Sequence, residues 1–451
     1  MTGRAFHTKT MTEKDRLAKN ARIKASSLAT RQRRRKMVIA TREIKISANK
    51  LSTTQKHQLR MLFLEAKWLR NSALSQSRFD RDYLKELDNT VNVKTGKDTY
   101  EQRTFEVLGG QLKQAVIDQL KRDRNALAAL KKKTKRKVGK LKFTREVKSI
   151  DLVQPGNSYK IDKERNRIKV ANISGWMKAK GINQLEQVDE IGNAKLVKRA
   201  DGYYLIVTTY TTPDKAQSRV TQDFQPGTMV GIDMGVQTHL TLSNGVKINA
   251  RFEETDRLRR LRRKLSRQQK GSANYAKTLH QIKKENQKIS RRKDDCANKI
   301  VHELLKNEKV FLQDEMINSW KHKKGWARGG KSIQASILGR VKQALSTHPR
   351  VTVLDRITPT TQTCVCGAKT PHKPGVNTFT CKTCQYQDDR DTHAAKNMIR
   401  LGTAKKSPHP EQMRTLAEIS VRPVANMNLA STGATGIRST KQEAVTSSAL
   451  P

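Results

Sequence analysis

Residues 229–235 read Met229-Val230-Gly231-Ile232-Asp233-Met234-Gly235. The first four have the character of a buried strand, and an acid ends it. A carboxylate there is costly to desolvate unless a cation or hydrogen-bond donors meet it. The glycine at 235 leaves space for a phosphate or another backbone to come close. Alone, a strand-end Asp reads equally well as a turn residue. Its weight comes from two further acids that the same chain places in comparable settings.

One follows a second buried run, Val310-Phe311-Leu312-Gln313-Asp314-Glu315. On a strand Gln313 and Glu315 share one face while Asp314 points to the other. A single acid of the pair can therefore join Asp233. Glu315 is preferred, with Asp314 as the alternative. The other stands in Asp388-Asp389-Arg390-Asp391-Thr392-His393-Ala394-Ala395-Lys396-Asn397. Asp391 opens a helix, where Asp is also a common N-cap. The small residues Ala394 and Ala395 let that helix approach a sheet closely. Asp233, Glu315 and Asp391 together suit hydrolysis of a phosphodiester by two Mg²⁺ ions about 4 Å apart, one activating water and the other stabilising the leaving oxygen. Carboxylates are the ligands Mg²⁺ prefers. No Gly-x-Ser-x-Gly or phosphate-loop motif offers a rival chemistry.

Four of the five cysteines crowd into residues 364–384, as Cys364-Val365-Cys366-Gly367 and Cys381-Lys382-Thr383-Cys384. Two close pairs suit one tetrahedral structural Zn²⁺, not a disulfide framework. The first pair has one residue fewer between its cysteines than the usual Cys-x-x-Cys, so His372 is a possible substitute ligand. Cys296 reads as plain core.

Lys and Arg number 92 against 41 Asp and Glu, a formal charge of +51 over 451 residues. A chain so charged calls for a polyanion, and nucleic acid is the usual one. The expected phosphate contacts are Arg33, Arg34 and Arg35, the run Lys131, Lys132, Lys133, Lys135 and Arg136, and Arg259, Arg260, Arg263 and Arg267 on a basic helix. Tyr203, Tyr204, Trp320 and Trp326 could stack bases, although core packing suits each one better. No run of about 18 apolar residues exists and the N-terminus has no apolar signal core, so neither a membrane span nor export is expected.

Residues 1–36 are basic and too polar to bury a core, so they are expected to be a disordered arm. Residues 37–50 and 140–225 read as short strands of a β-barrel, interrupted by a helical segment at 51–139 that starts at the capping box Ser52-Thr53-Thr54-Gln55. A nuclease domain is expected over 226–358 and 386–402, with the cysteine segment at 359–385 inserted and two long basic helices over 253–305 broken near Gly271. Ser332 should cap a helix bearing Ile333, Ile337, Val341 and Leu345. Residues 403–451 read as a disordered tail.

With these residues in view, roughly 37–401 resembles the TnpB family of insertion-sequence proteins and its relatives, the compact type V CRISPR effectors. The likeness rests on residues 231–235, on Gln313-Asp314-Glu315, on Thr360-Thr361-Gln362-Thr363-Cys364, on 389–397, and on the order acid, acid, zinc ribbon, acid. It implies an α/β RNase H-like (RuvC) nuclease domain with an inserted zinc ribbon. It also implies an N-terminal β-barrel (wedge) interrupted by a helical recognition domain. It further implies a guide RNA, double-stranded target DNA with a short adjacent motif, catalysis by Asp233, Glu315 and Asp391, and a prokaryotic cytoplasmic protein at the nucleoid, monomeric or dimeric on its RNA. Base pairing would then carry sequence specificity. The alternatives are a compact CRISPR effector and a guided DNA-binding repressor that does not cut.

Overall fold

The structure, a computed structural model, describes residues 12–96, 99–134, 138–218, 225–321, 329–371 and 376–403. The chain divides into two compact units, Met1–Ser218 and Arg219–Pro451.

The first unit begins with a helix where disorder was expected: α1 spans Glu13–Arg35, and none of its residues is buried. Local terms account for it. Thr12 caps it by accepting from the Asp15 amide, Glu13 and Asp15 stand in the first turn, and Arg33, Arg34 and Arg35 stand in the last, each complementing the helix dipole. Arg33 and Arg34 also pair with Glu190, at 2.6 and 3.0 Å.

Next come β1 (Val38–Ile46), α2 (Thr53–Ser75), α3 (Arg81–Glu86), the hairpin β2 (Thr90–Lys94) and β3 (Tyr100–Thr104), and α4 (Gly110–Thr134). The Ser52–Gln55 capping box is formed. The hairpin is an addition to the all-helical reading of this segment. The strands β4 (Ser149–Leu152), β5 (Tyr159–Asp162), β6 (Arg167–Val170), β7 (Met177–Lys180), β8 (Glu190–Arg199) and β9 (Gly202–Thr211) follow, then α5 (Pro213–Ser218). With β1 they form one seven-stranded sheet in the order β4-β8-β9-β1-β7-β6-β5. The early strand thus sits between β9 and β7, antiparallel to both. Among the described residues the ladder has β4 and β5 as its edges. Glu65 of α2, fully buried, accepts from the amides of Glu106, Val107 and Leu108 and so fixes the approach to α4.

The second unit holds β10 (Gln225–Met234), β11 (Leu240–Leu242), β12 (Lys247–Ile248), α6 (Asp256–Ser266), α7 (Ala273–Leu304), β13 (Asn307–Gln313), α8 (Gly329–Ala335), α9 (Leu338–Ser346), β14 (Val351–Leu354), β15 (Thr378–Thr380), β16 (Gln387–Asp389) and α10 (Arg390–Thr403). Its main sheet runs β12-β11-β10-β13-β14. Strands β10, β13 and β14 are parallel, and β11 returns antiparallel to β10. Gly271, at φ 93°, separates α6 from α7 as the sequence suggested. The helix expected from Ser332 is two pieces: Ser332 lies inside α8, that helix ends at Ala335, and α9 begins at Leu338. Ile333, Ile337, Val341 and Leu345 are nonetheless all buried.

Alternation along the strands decides what each face meets. Val230, Ile232, Val310 and Leu312 face a core shared with Cys296 and Ile300 of α7 and Val341 of α9. Phe311 and Leu354 face the other way, against Met398 and Ile399 of α10. Gly231 belongs to this second face. A Cβ there would stand 1.9 Å from the Ala395 carbonyl oxygen, so α10 lies directly on the strand's backbone.

Candidate active site and metal centre

Asp233 is the last residue but one of β10, two residues beyond Gly231 and on the face that α10 covers. Part of the residue remains open to solvent. Its carboxyl is nevertheless pushed up to about 7, first by burial and then by the negative charges of Asp391 and Glu315, with Arg390 opposing. Asp391 and Glu315 are therefore both near enough to Asp233 for their charges to add to burial in holding a proton on it.

Glu315 arrives as the parity of β13 requires. Gln313, on the same face, donates to the carbonyls of Asp355, Arg356 and Thr358 at 3.1, 3.1 and 2.8 Å. Asp314 turns to the opposite layer, where Lys342 of α9 pairs with it and holds its carboxyl below the usual carboxylate range. Lys342 also donates to the Glu315 carbonyl at 2.7 Å, which pins the turn carrying both acids.

The N-cap of α10 is Asp389, which accepts from the Thr392 amide at 3.0 Å. Asp391 is thereby left free of the capping role that Asp so often takes. Its carboxylate pairs with Arg390 at 2.8 Å. The space at Gly235 goes to its own turn instead of to a ligand: a Cβ there would meet the Thr238 carbonyl oxygen at 2.8 Å.

The four cysteines meet. Their sulfurs lie within 4.8 Å of one another, with Cys364 to Cys384 at 3.5 Å and Cys366 to Cys381 at 3.7 Å. A tetrahedron of sulfurs about 2.3 Å from a central ion has edges of about 3.8 Å, so the donor set fits one metal ion. Gly367, at φ 88°, closes the shortened first pair, and its amide donates to the Cys364 carbonyl at 3.0 Å. Cys381 is lowered to about 6 by the backbone amides of Cys384 and Thr383, which favours the thiolate that a metal needs. Cys366 completes the group of four, and the alternative ligand His372 lies outside the described residues. Among the described residues this is the one group of three or more such side chains packed so closely. The three carboxylates are spaced more widely.

Three polar residues of α10 had no role in the sequence reading: His393, Asn397 and Arg400, all buried. Asn397 donates to the carbonyls of Thr360 and Thr363, each at 2.6 Å. Nε2 of His393 lies 3.0 Å from the Thr363 carbonyl, and its ring stacks on Phe379 with centroids 3.8 Å apart. Their spacing of four and three residues on one helix face was the signal available.

Of the expected phosphate contacts, Arg35, Lys131, Lys132, Lys133, Arg259, Arg260, Arg263 and Arg267 are exposed. Arg33 and Arg34 are engaged by Glu190, and Arg259 pairs with Asp256. Lys135 and Arg136 lie outside the described residues, as do Trp326 and residues 404–451. Tyr204 is buried with its hydroxyl donating to Asp201, and Tyr203 stacks on Phe63, so both serve packing in the first unit. No helix among the described residues is long and apolar enough to cross a membrane.

Two family profiles match the chain. OrfB_IS605, described as "Probable transposase", covers residues 206–310, and the Cas12f1-like TNB domain covers residues 343–398. A "Putative RNA-guided DNA endonuclease" of Streptomyces pristinaespiralis is 30% identical over 200 residues, which is 41% of this chain and 50% of the relative. The "Putative RNA-guided DNA endonuclease InsQ" of Escherichia coli K12 is 24% identical over 276 residues, 54% of this chain and 64% of the relative. In these matches the chain is similar to proteins of the TnpB family. The matched domains imply a RuvC-like nuclease fold. The first profile match contains Asp233, the second contains all four cysteines and Asp391, and Glu315 lies between them. The chain spans half the length of the first relative and under two thirds of the second.

Proposed function

We propose that this protein is a transposon-associated, RNA-guided DNA endonuclease that hydrolyses phosphodiester bonds at Asp233, Glu315 and Asp391. The observation that carries the reading is the convergence of these three carboxylates, drawn from distant parts of the chain, at one end of the β10–β13 pair. There the other two acids help hold a proton on Asp233 up to about pH 7. Such an acidic cluster is a hard oxygen donor set, which fits divalent cations of the Mg²⁺ class. When bound, two such ions would supply activation of water and charge neutralisation at the phosphate. The protein's part is placement. The end of β10 fixes Asp233, the turn after β13, pinned by Lys342, fixes Glu315, and the first turn of α10 fixes Asp391. Asp314 is withdrawn by its ion pair and takes no part.

The cysteine centre is read as a structural Zn²⁺ site that ties residues 360–384 to α10. In this reading the first unit is the wedge sheet with its helical recognition insert. A guide RNA takes up much of the +51 charge. Exposed Arg260, Arg263 and Arg267 on α6, and Lys131, Lys132 and Lys133 at the end of α4, contact phosphates. The names of the two relatives support the same activity.

The test is to purify the protein, sequence the RNA that accompanies it, and supply DNA matching that guide. Cleavage that needs Mg²⁺ and disappears in Asp233→Ala is expected. Undiminished cutting by that variant would refute the active-site assignment, and binding without cutting by the unaltered protein would favour a guided repressor.

A further inference from the structure

Arg400 lies nine residues beyond Asp391 on α10 and is 0% exposed. A guanidinium at that depth needs a counter-charge, because an uncompensated buried cation is strongly destabilising. Its hydrogen bonds go to neutral oxygens: Nη1 to Oδ1 of Asn397, and Nη2 to the Cys364 carbonyl at 2.9 Å. Its Nε has no hydrogen-bond partner among the described residues. No carboxylate among them lies within ion-pairing distance of it. The contact with Cys364 points to where the missing charge resides. Four thiolates around one divalent cation leave two negative charges in excess; Cys366 and Cys384 face solvent, but Cys364 and Cys381 are buried, and Arg400 meets the centre on that buried side.

We propose that Arg400 is the buried counter-charge of the metal–thiolate centre, and that with Asn397 and His393 it seats α10, so that the position of Asp391 depends on metal at the cysteines. Each of the three residues reaches the segment that leads into the first cysteine pair: Asn397 holds Thr360 and Thr363, His393 meets Thr363, and Arg400 holds Cys364. The helix is the lever. Nine residues at 1.5 Å rise place Asp391 about 13 Å from Arg400 on one rigid element. The same element rests on Gly231 with no room for a side chain between them. A ribbon that loosens without its metal would release three anchors of the helix that carries a catalytic acid. Arg400 is thus a positioning residue, acting through α10.

This inference rests on reading the four cysteines as a metal centre, and Co²⁺ tests the two separately. Absence of a thiolate-to-Co²⁺ absorption band in the unaltered protein would remove the metal reading and this proposal with it. Given that band, Arg400→Met keeps the length of the side chain and removes its charge. It is expected to weaken Co²⁺ and Zn²⁺ binding by about 10–100-fold, the usual cost of losing a residue that supports a metal's ligands. Arg400→Lys should recover part of that loss, since it restores charge without the fork of donors. Metal affinity unchanged in Arg400→Met would overturn the proposal. If Arg400→Met does not fold, the unaltered chain decides. Stripping the metal with a chelator should speed hydrogen exchange across residues 390–403 while the first unit's sheet keeps its protection. Equal protection of α10 with and without metal would refute it.

Discussion

Adding one methyl group at Gly231 tests whether the seat of α10 sets the active site. In Gly231→Ala the new Cβ would fall 1.9 Å from the Ala395 carbonyl oxygen and 3.2 Å from Cγ1 of Ile399. A carbon and an oxygen tolerate no less than about 3.3 Å, so the helix or the strand must retreat by about 1.4 Å. The severe contact is with the Ala395 backbone, so no side-chain rotation relieves it, and trimming Ala395 to glycine leaves the carbonyl in place. The overpacking should cost about 1–3 kcal/mol of stability. The larger effect is on catalysis. Asp233 stands two residues along the strand and Asp391 one turn back along the helix, so their separation changes by a similar amount. A misplacement of about 1 Å costs about 100-fold in rate. The assay is single-turnover cleavage of guided DNA at saturating Mg²⁺, beside guide-RNA binding and a thermal melt. Binding should be retained and the rate should fall by about two orders of magnitude. Wild-type cleavage together with an unchanged melting temperature would show that α10 does not hold Asp391 against β10.

Glu315→Gln should abolish cleavage and leave guide binding intact, whereas Asp314→Asn should cut normally; the reverse pattern would exchange their roles. Asp233 titrates well above an ordinary carboxylate. Ionising it therefore opposes folding in the metal-free protein, and that part of the stability falls as pH rises from about 4 through 7. At pH 8 without metal, Asp233→Asn should be more stable than the unaltered chain by about 1–3 kcal/mol, after discounting for the side chain's partial exposure, and yet be inactive. Equal metal-free melting curves at pH 8 would contradict this. The same proton competes with Mg²⁺, so the concentration needed for half-maximal cleavage should climb as pH drops below 7. Glu65→Ala leaves three amides unpaired and should destabilise the first unit by about 2–4 kcal/mol in a denaturant melt, with no change at the cysteine centre.

The parts of the fold that the sequence made legible were those where residue type and geometry admit few alternatives. Strand parity separated Glu315 from Asp314, because a period of two leaves only two faces. Ala394 and Ala395 announced a close helix–sheet contact, and Gly231 is its other half. The cysteine spacing announced the close group of four sulfurs, and Gly367 shows how the short pair still closes. Three features were less legible for physical reasons. The helix α1 buries nothing, so composition argued for disorder while caps and end charges decided the outcome. The hairpin at β2 and β3 lies in a segment whose flanking helices dominated its reading. Arg400 looks like one more surface cation in a chain of 92 Lys and Arg. Only its depth and its bond to the Cys364 carbonyl reveal another role.

The most direct measurement is of the metals themselves. Crystals of the protein soaked in Mn²⁺, which replaces Mg²⁺ and scatters anomalously, should show density bounded by the carboxylates of Asp233, Glu315 and Asp391, and none in crystals of Asp233→Asn. Anomalous density elsewhere in the second unit, or an unoccupied site between those three acids at millimolar Mn²⁺, would contradict the account.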